Sequence, residues 1–163
     1  IPELAEIALG DWEGLTVAEV KTRYPGQYEE RGADLAGFRP ANGESFADLQ
    51  NRCWPILEQA AMGASEHIAI VAHAGVNRVL LCRILGIPLD DLFCLPQDYG
   101  CCNIIHRQGT EYLVENVNLR PGDLPFSSLL PRHRRHYRQP GEQSEASPRG
   151  CSGSLFFSRR PYN

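Results

Sequence analysis

His67-Ile-Ala-Ile-Val-Ala-His-Ala-Gly-Val-Asn-Arg78 is the stretch on which the fold turns. Its apolar run, Ile68 to Ala72, stops abruptly at His73-Ala74-Gly75, and an amphipathic segment starts at once. A short apolar run bounded by small residues suits a buried parallel strand. Val76, Val79, Leu80 and Leu81 then recur at helical spacing, and Leu85-Gly86 followed by Pro88 supplies the stop. A strand feeding straight into a helix puts His73 at the strand's carboxyl end. The backbone N–H groups of Ala74 and Gly75 then lie at the helix N-terminus, where unpaired donors and the positive end of the helix dipole favour an anion, phosphate above all. In open α/β sheets, ligands also gather outside the carboxyl ends of strands. Taken alone, His73 reads first as a histidine that caps a helix and does nothing more.

Working outward, 163 residues make about one domain with room for a sizeable core. A net charge of -4 and a pI near 5.7 give no general case for nucleic-acid or membrane partners. No apolar run approaches membrane-spanning length, and the N-terminus has no basic-then-apolar leader. The chain opens on Ile1 and not Met, so its start is expected upstream. The six cysteines, at 53, 82, 94, 101, 102 and 151, form no C-x-x-C pair. Most stand in apolar surroundings, which predicts reduced, buried thiols and a cytoplasmic protein. Cys101-Cys102 with His106 is a poor basis for a tetrahedral zinc set, and no metal is expected.

Upstream of the central stretch, Leu4-Ala-Glu-Ile-Ala-Leu-Gly-Asp-Trp-Glu-Gly14 reads as irregular and tightly turned. Thr16 is placed to cap a helix through Val17, Val20 and Tyr24, with Glu19 at the capping-box position and Pro25-Gly26 as the stop. Residues 26 to 44 read as a long surface excursion of the kind that forms lids. Gly43-Glu44-Ser45 opens the clearest helix, with Ser45 as N-cap, Asp48 three residues on, and a stripe of Phe46, Leu49, Cys53, Ile56, Leu57 and Ala60. Pro55 predicts a kink or boundary within it.

Downstream, 89–100 reads as a loop with buried side chains. The segments 103–107 and 111–115 flank Gln108-Gly-Thr110 as a hairpin, after which 116–119 is expected to leave the sheet. Alternating helices and strands indicate a layered α/β domain. From residue 121 to 163, Pro, Ser, Arg and Gly dominate, and Arg132, Arg134, Arg135 and Arg138 cluster; this predicts a disordered tail appended to a 1–120 domain.

Three marks thus stand in order: the Leu4–Gly14 segment, Gly43-Glu44-Ser45, and Val71-Ala-His-Ala-Gly-Val76. Together they resemble the histidine phosphatase superfamily, over residues 2 to about 120. The resemblance implies a three-layer α/β/α fold with a mostly parallel sheet, of the phosphoglycerate mutase type. It also implies a mechanism in which a histidine of an Arg-His-Gly motif takes the phosphoryl group, a glutamate protonates the leaving oxygen, and water then cleaves the phosphohistidine. Arginines and a second histidine hold the charge in transit. No cofactor is implied.

Carried over residue by residue, His73 corresponds to the second histidine, with the Ala74 N–H as an added donor. Glu6 corresponds to the acid/base glutamate, with Asp11 and Glu13 as rivals on chemistry alone. Glu44 and Ser45 fall where the family's lid meets its site, although dipole stabilisation and helix capping account for them as well. Arg78 is expected to be structural and to point away from the phosphate. Arg-His-Gly occurs nowhere in the sequence; the other histidines are His67, His106, His133 and His136. The chain therefore resembles the family's latter part, N-terminally incomplete, and as a fragment it is expected to lack turnover and a central strand. Phosphatase is favoured over mutase by the short Ser45–His73 interval. The expected ligand is a small phosphorylated metabolite, with neither nucleic acid nor membrane. A non-catalytic phosphate-binding module is the alternative from another class.

Overall fold

The computed structural model describes residues 1–63, 67–120 and 122–123, and for 153–159 the backbone alone. The first turns are two short 3-10 segments, Pro2–Leu4 and Gly10–Trp12, as the Gly-rich reading of this stretch implied. Helix α1 (Val17–Arg23) begins at Thr16, whose side chain accepts from the Glu19 N–H while the Glu19 carboxylate takes the Thr16 N–H. Helix α2 (Gln27–Ala33) follows from Gly26, which has a φ of 84°. Here the expected surface excursion contains a helix. Its signal was hidden because α2 buries none of its residues, so no apolar stripe marks it.

Helix α3 (Phe46–Gly63) continues past Pro55 without a boundary. Proline removes one N–H, orphaning the carbonyl four residues back. Both Pro55 and Asn51 are exposed, so water can serve that carbonyl and no boundary forms. Phe46, Leu49, Cys53, Leu57 and Ala61 make the buried stripe.

Strand β1 (His67–Val71) leads into helix α4 (Ala74–Leu85), which His73 precedes as N-cap and Gly86 ends in the left-handed region at φ 69°. A 3-10 segment, Leu89–Cys94, then carries the chain to β2 (Cys101–Gln108) and β3 (Glu111–Leu119), joined by a tight turn with Gly109 at φ 62°. The segment 116–119 stays in the sheet, contrary to expectation, because a bulge lets Asn116 face Ile104 and Leu119 face Cys102. Strand β4 (Gly153–Arg159) arises within the segment expected to be a tail. The basic cluster at 132–138 lies outside the described residues.

The sheet order is β1-β4-β2-β3. An interior position is thus held by β4, which comes from the segment expected to be a tail. Pairing is antiparallel for β1·β4 and β2·β3 and parallel for β2·β4. The described sheet is therefore mixed and not mostly parallel: a two-residue turn can only join β2 to β3 antiparallel, and β4 runs against β1. As the end strand, β1 is also less buried than its apolar run predicted, with Val71 80% exposed. Helix α4 packs on α3 and on the sheet, and its Val76, Val79, Leu80, Leu81 and Cys82 meet Leu49, Cys53, Leu57, Ile70, Leu92 and Ile105 in one core.

Candidate functional site

The first turn of α4 receives a carboxylate from a segment far away in sequence. Glu6 Oε2 accepts the Gly75 N–H at 3.0 Å, and Glu6 Oε1 accepts the N–H of Ile7 at 3.0 Å. A negative group here meets unpaired amides and the positive end of a twelve-residue helix. Gly75 is required by this approach, since a Cβ at that position would lie 2.3 Å from Glu6 Oε1. Two of the sequence marks, the Leu4–Gly14 segment and His73-Ala74-Gly75, are thereby brought together.

The third mark holds the first in place. Glu44 forms a two-pronged ion pair with Arg52 of α3, Nε to Oε1 at 2.6 Å and Nη2 to Oε2 at 2.8 Å, and its Oε2 also accepts the Ala8 N–H. Arg52 spends its remaining donors on the carbonyls of Glu3, Ala5 and Glu6. The Arg52 guanidinium, and secondarily the Ala8 N–H, hold the Glu44 carboxyl below the usual carboxylate range against an opposing effect of burial. Backbone contact completes the clamp: the Glu44 N–H donates to Ala8 O at 2.8 Å and the Asp11 N–H to Ala41 O at 2.9 Å. The two chains pass so closely that a Cβ on Gly10 would stand 2.1 Å from Ala41 O. Ser45 is buried and caps α3: its Oγ accepts the Asp48 N–H and donates to Asp48 Oδ2, which also accepts the Ser45 N–H. Glu44 and Ser45 thus stand behind the Glu6 segment, outside the cleft that Glu6 borders.

That cleft encloses about 540 Å³ between the Glu6–Leu9 and Glu13 loop, Phe46, the first turn of α4 with Ala74 and Gly75, Arg78, and Leu92-Phe93. Of the two rivals to Glu6, Glu13 borders the cleft but its Oε1 takes the Leu9 N–H at 2.8 Å. Asp11 is turned to Asn42, whose Nδ2 donates to it at 2.9 Å. Ala74 is buried in the helix's first turn. The exposed His73 side chain borders a second hollow of about 440 Å³, with Ala5, Ile70 and Val71 among its walls. Glu6 and His73 therefore flank the same helix N-terminus from adjoining hollows.

Arg78 borders the Glu6 cleft instead of pointing away. Five residues separate it from His73, but only three from Gly75, and residues three apart share a helix face. Its Nε donates to Leu95 O at 2.9 Å and its guanidinium lies 5.5 Å from the Phe93 ring centroid. Arg52 also escaped the sequence reading. The available signal was an arginine beside the α3 stripe, next to Cys53 and three residues after Leu49.

Residues 1–120 match the model of the histidine phosphatase superfamily (branch 1). Among curated relatives, 6-phosphofructo-2-kinase 1 of Saccharomyces cerevisiae is 31% identical over 110 residues, which cover 60% of this chain and 13% of that one. Glucosyl-3-phosphoglycerate phosphatase of Mycolicibacterium vanbaalenii is 33% identical over 96 residues, covering 54% and 42%. Among solved structures, the α-ribazole phosphatase of Shigella flexneri superposes with a TM-score of 0.57 at 21% identity, covering 72% of this chain and 59% of that one; it shares the phosphoglycerate mutase-like fold. The chain thus spans less than two thirds of the length of each. With its matched segment carrying all three sequence marks, the chain belongs to the histidine phosphatase superfamily.

Proposed function

We propose that the site at the N-terminus of α4 serves a phosphatase that hydrolyses small phosphate monoesters through a phosphohistidine, with Glu6 as the proton donor to the leaving oxygen. The observation that carries this reading is the seating of the Glu6 carboxylate on the Gly75 N–H, beside amides suited to phosphoryl oxygens. In the reaction, the P–O bond to the leaving group breaks as a bond to a histidine nitrogen forms, and the leaving oxygen takes its proton from Glu6. Water then attacks phosphorus, releasing orthophosphate and restoring the histidine. His73 and the Ala74 N–H would bind the non-bridging oxygens. Glu44 acts at one remove, by fixing the loop that carries Glu6, and Ser45 by capping α3. The activities for which relatives are named, glucosyl-3-phosphoglycerate phosphatase and phosphoserine phosphatase among them, support a small phosphorylated substrate. Buried thiols outside any disulfide at Cys53, Cys82 and Cys102 favour the cytoplasm as the compartment.

No Arg-His-Gly occurs in the 163 residues, and neither His67 nor His106 borders the cleft. For this chain the expectation is hydrolysis of p-nitrophenyl phosphate at background. Robust turnover would overturn the expectation that these 163 residues lack the nucleophile, and turnover that survives Glu6→Gln would overturn the role given to Glu6. The alternative reading is a phosphate-binding module without chemistry. Incubation with a phosphoryl donor followed by intact mass tests it: a phosphohistidine adduct contradicts the module.

A further inference from the structure

Resting on that phosphate-site reading, we infer that the leaving-group side of the cleft takes an aromatic or heteroaromatic ring packed on Phe93, so that the site selects aryl-bearing phosphomonoesters over polyol phosphates. The cleft volume, about 540 Å³, suits a small molecule. Apart from Glu6, its polar side chains are Glu13 and Arg78, and each has one atom engaged within the protein, leaving one carboxylate oxygen and the terminal guanidinium nitrogens to face a ligand. Glu13 Oε1 holds the Leu9 N–H, and Arg78 Nε is committed to Leu95 O. A sugar or polyol would need several donors and acceptors facing its hydroxyls, and leaving these unpaired is costly. The other walls are Ile7, Leu9, Phe46, Leu92 and Phe93, all apolar.

Phe93 is the distinctive wall. It is 58% exposed, yet it is not loose. Its ring stands edge-on to Phe46 at 6.0 Å and 90° between planes, and the Arg78 guanidinium lies over it. Phe46 is itself buried and carries Arg31 at 5.5 Å from its ring centroid. An aromatic ring held on both supports and left open to a cleft offers a ready surface for a second ring in offset or edge-to-face contact, at little ordering cost to the protein. One cleft therefore combines a carboxylate at a helix N-terminus with a fixed, uncovered aromatic platform.

Calorimetric titration of the full chain with orthophosphate, methylphosphonate and phenylphosphonate tests this. The expected result is phenylphosphonate binding about tenfold tighter than methylphosphonate, the size of an aromatic pair contact. In Phe93→Ala that ratio should fall to about one. Equal affinities in the unaltered chain, or a phenyl preference that survives Phe93→Ala, overturn the inference alone. Failure of all three probes to bind overturns the phosphate-site reading and the inference with it.

Discussion

Gly75→Ala distinguishes a carboxylate seated on the helix from one merely near it. A Cβ at residue 75 would sit 2.3 Å from Glu6 Oε1 and 3.1 Å from its Cδ. Real atoms do not approach so closely, so the flexible Glu6 side chain must leave and surrender its bond to the Gly75 N–H. A net hydrogen bond to a charged group is worth about 1.5–3 kcal/mol. Against this, alanine gains up to about 1 kcal/mol over glycine in a helix, and less in a first turn. Gly75→Ala should therefore destabilise by roughly 1 kcal/mol when Glu6 is present. In a Glu6→Ala background the clash with the Glu6 carboxyl is gone, and the same change should be neutral or stabilising by up to about 1 kcal/mol. Urea unfolding of the two single variants, the double variant and the unaltered chain gives the coupling, expected at about 1–2 kcal/mol. A coupling under about 0.5 kcal/mol, the ordinary limit of additivity, would refute the placement of Glu6.

Other outcomes follow from the same geometry. Arg52→Met leaves the Glu44 carboxylate and the carbonyls of Glu3, Ala5 and Glu6 without their shared donor; because the pair is about a quarter exposed (24% and 23%), a loss of about 2–3 kcal/mol in urea unfolding is expected, below the full cost for a buried pair. Glu44 and Asp48 both have lowered folded pKa values, Glu44 chiefly through Arg52 and Asp48 chiefly through the Ser45 N–H. Their stabilisation is present above the unfolded carboxylate range, near pH 4, and is lost as pH falls through the folded values, so Glu44→Gln should flatten the acid limb of a stability–pH curve. Burial raises the thiols of Cys53, Cys82 and Cys102 to about 11, whereas Cys94 is exposed; with a thiol reagent at neutral pH, Cys94→Ser should remove a fast phase and Cys53→Ser should not.

How much of this could be read from residues depended on whether the signal was local. The turn from β1 into α4 was legible because an apolar run, a histidine, a glycine and a helical stripe stand side by side in Ile68–Leu81. Both capping boxes, at Thr16 and Ser45, are four-residue patterns and were equally plain. Helix α2 was missed because a helix that buries nothing has no stripe to detect. Of the two outcomes open at Pro55, a kink or a boundary, no boundary formed, because the consequence of a proline depends on whether the freed carbonyl faces water, a tertiary fact. The course of 116–119 turned on a bulge opposite Ile104, and the strand neighbours of β1 depend on residues 153–159, far along the chain.

The site divides along the same line. Glu6 and His73 could be singled out because each lies within a recognisable segment, but their relation to α4 is made by a contact across 69 residues. Glu44 read equally as a helix-dipole partner and as a substrate contact, because sequence shows its charge and not its partner, Arg52 of α3. Arg78 was misjudged by measuring helical phase from His73, when the group at the cleft is Gly75. Such errors share one cause: a motif gives the residue type that a role requires, while packing decides which side of the segment faces ligand.

The most direct measurement is a titration of isotopically labelled protein with orthophosphate, read at the amides of Ala74 and Gly75 and at the His73 ring. Saturable shifts concentrated at Ala74 and His73, and abolished by His73→Ala, are the predicted result. Absence of any shift there, or saturable shifts confined to other parts of the chain, would contradict a phosphoryl site at the N-terminus of α4.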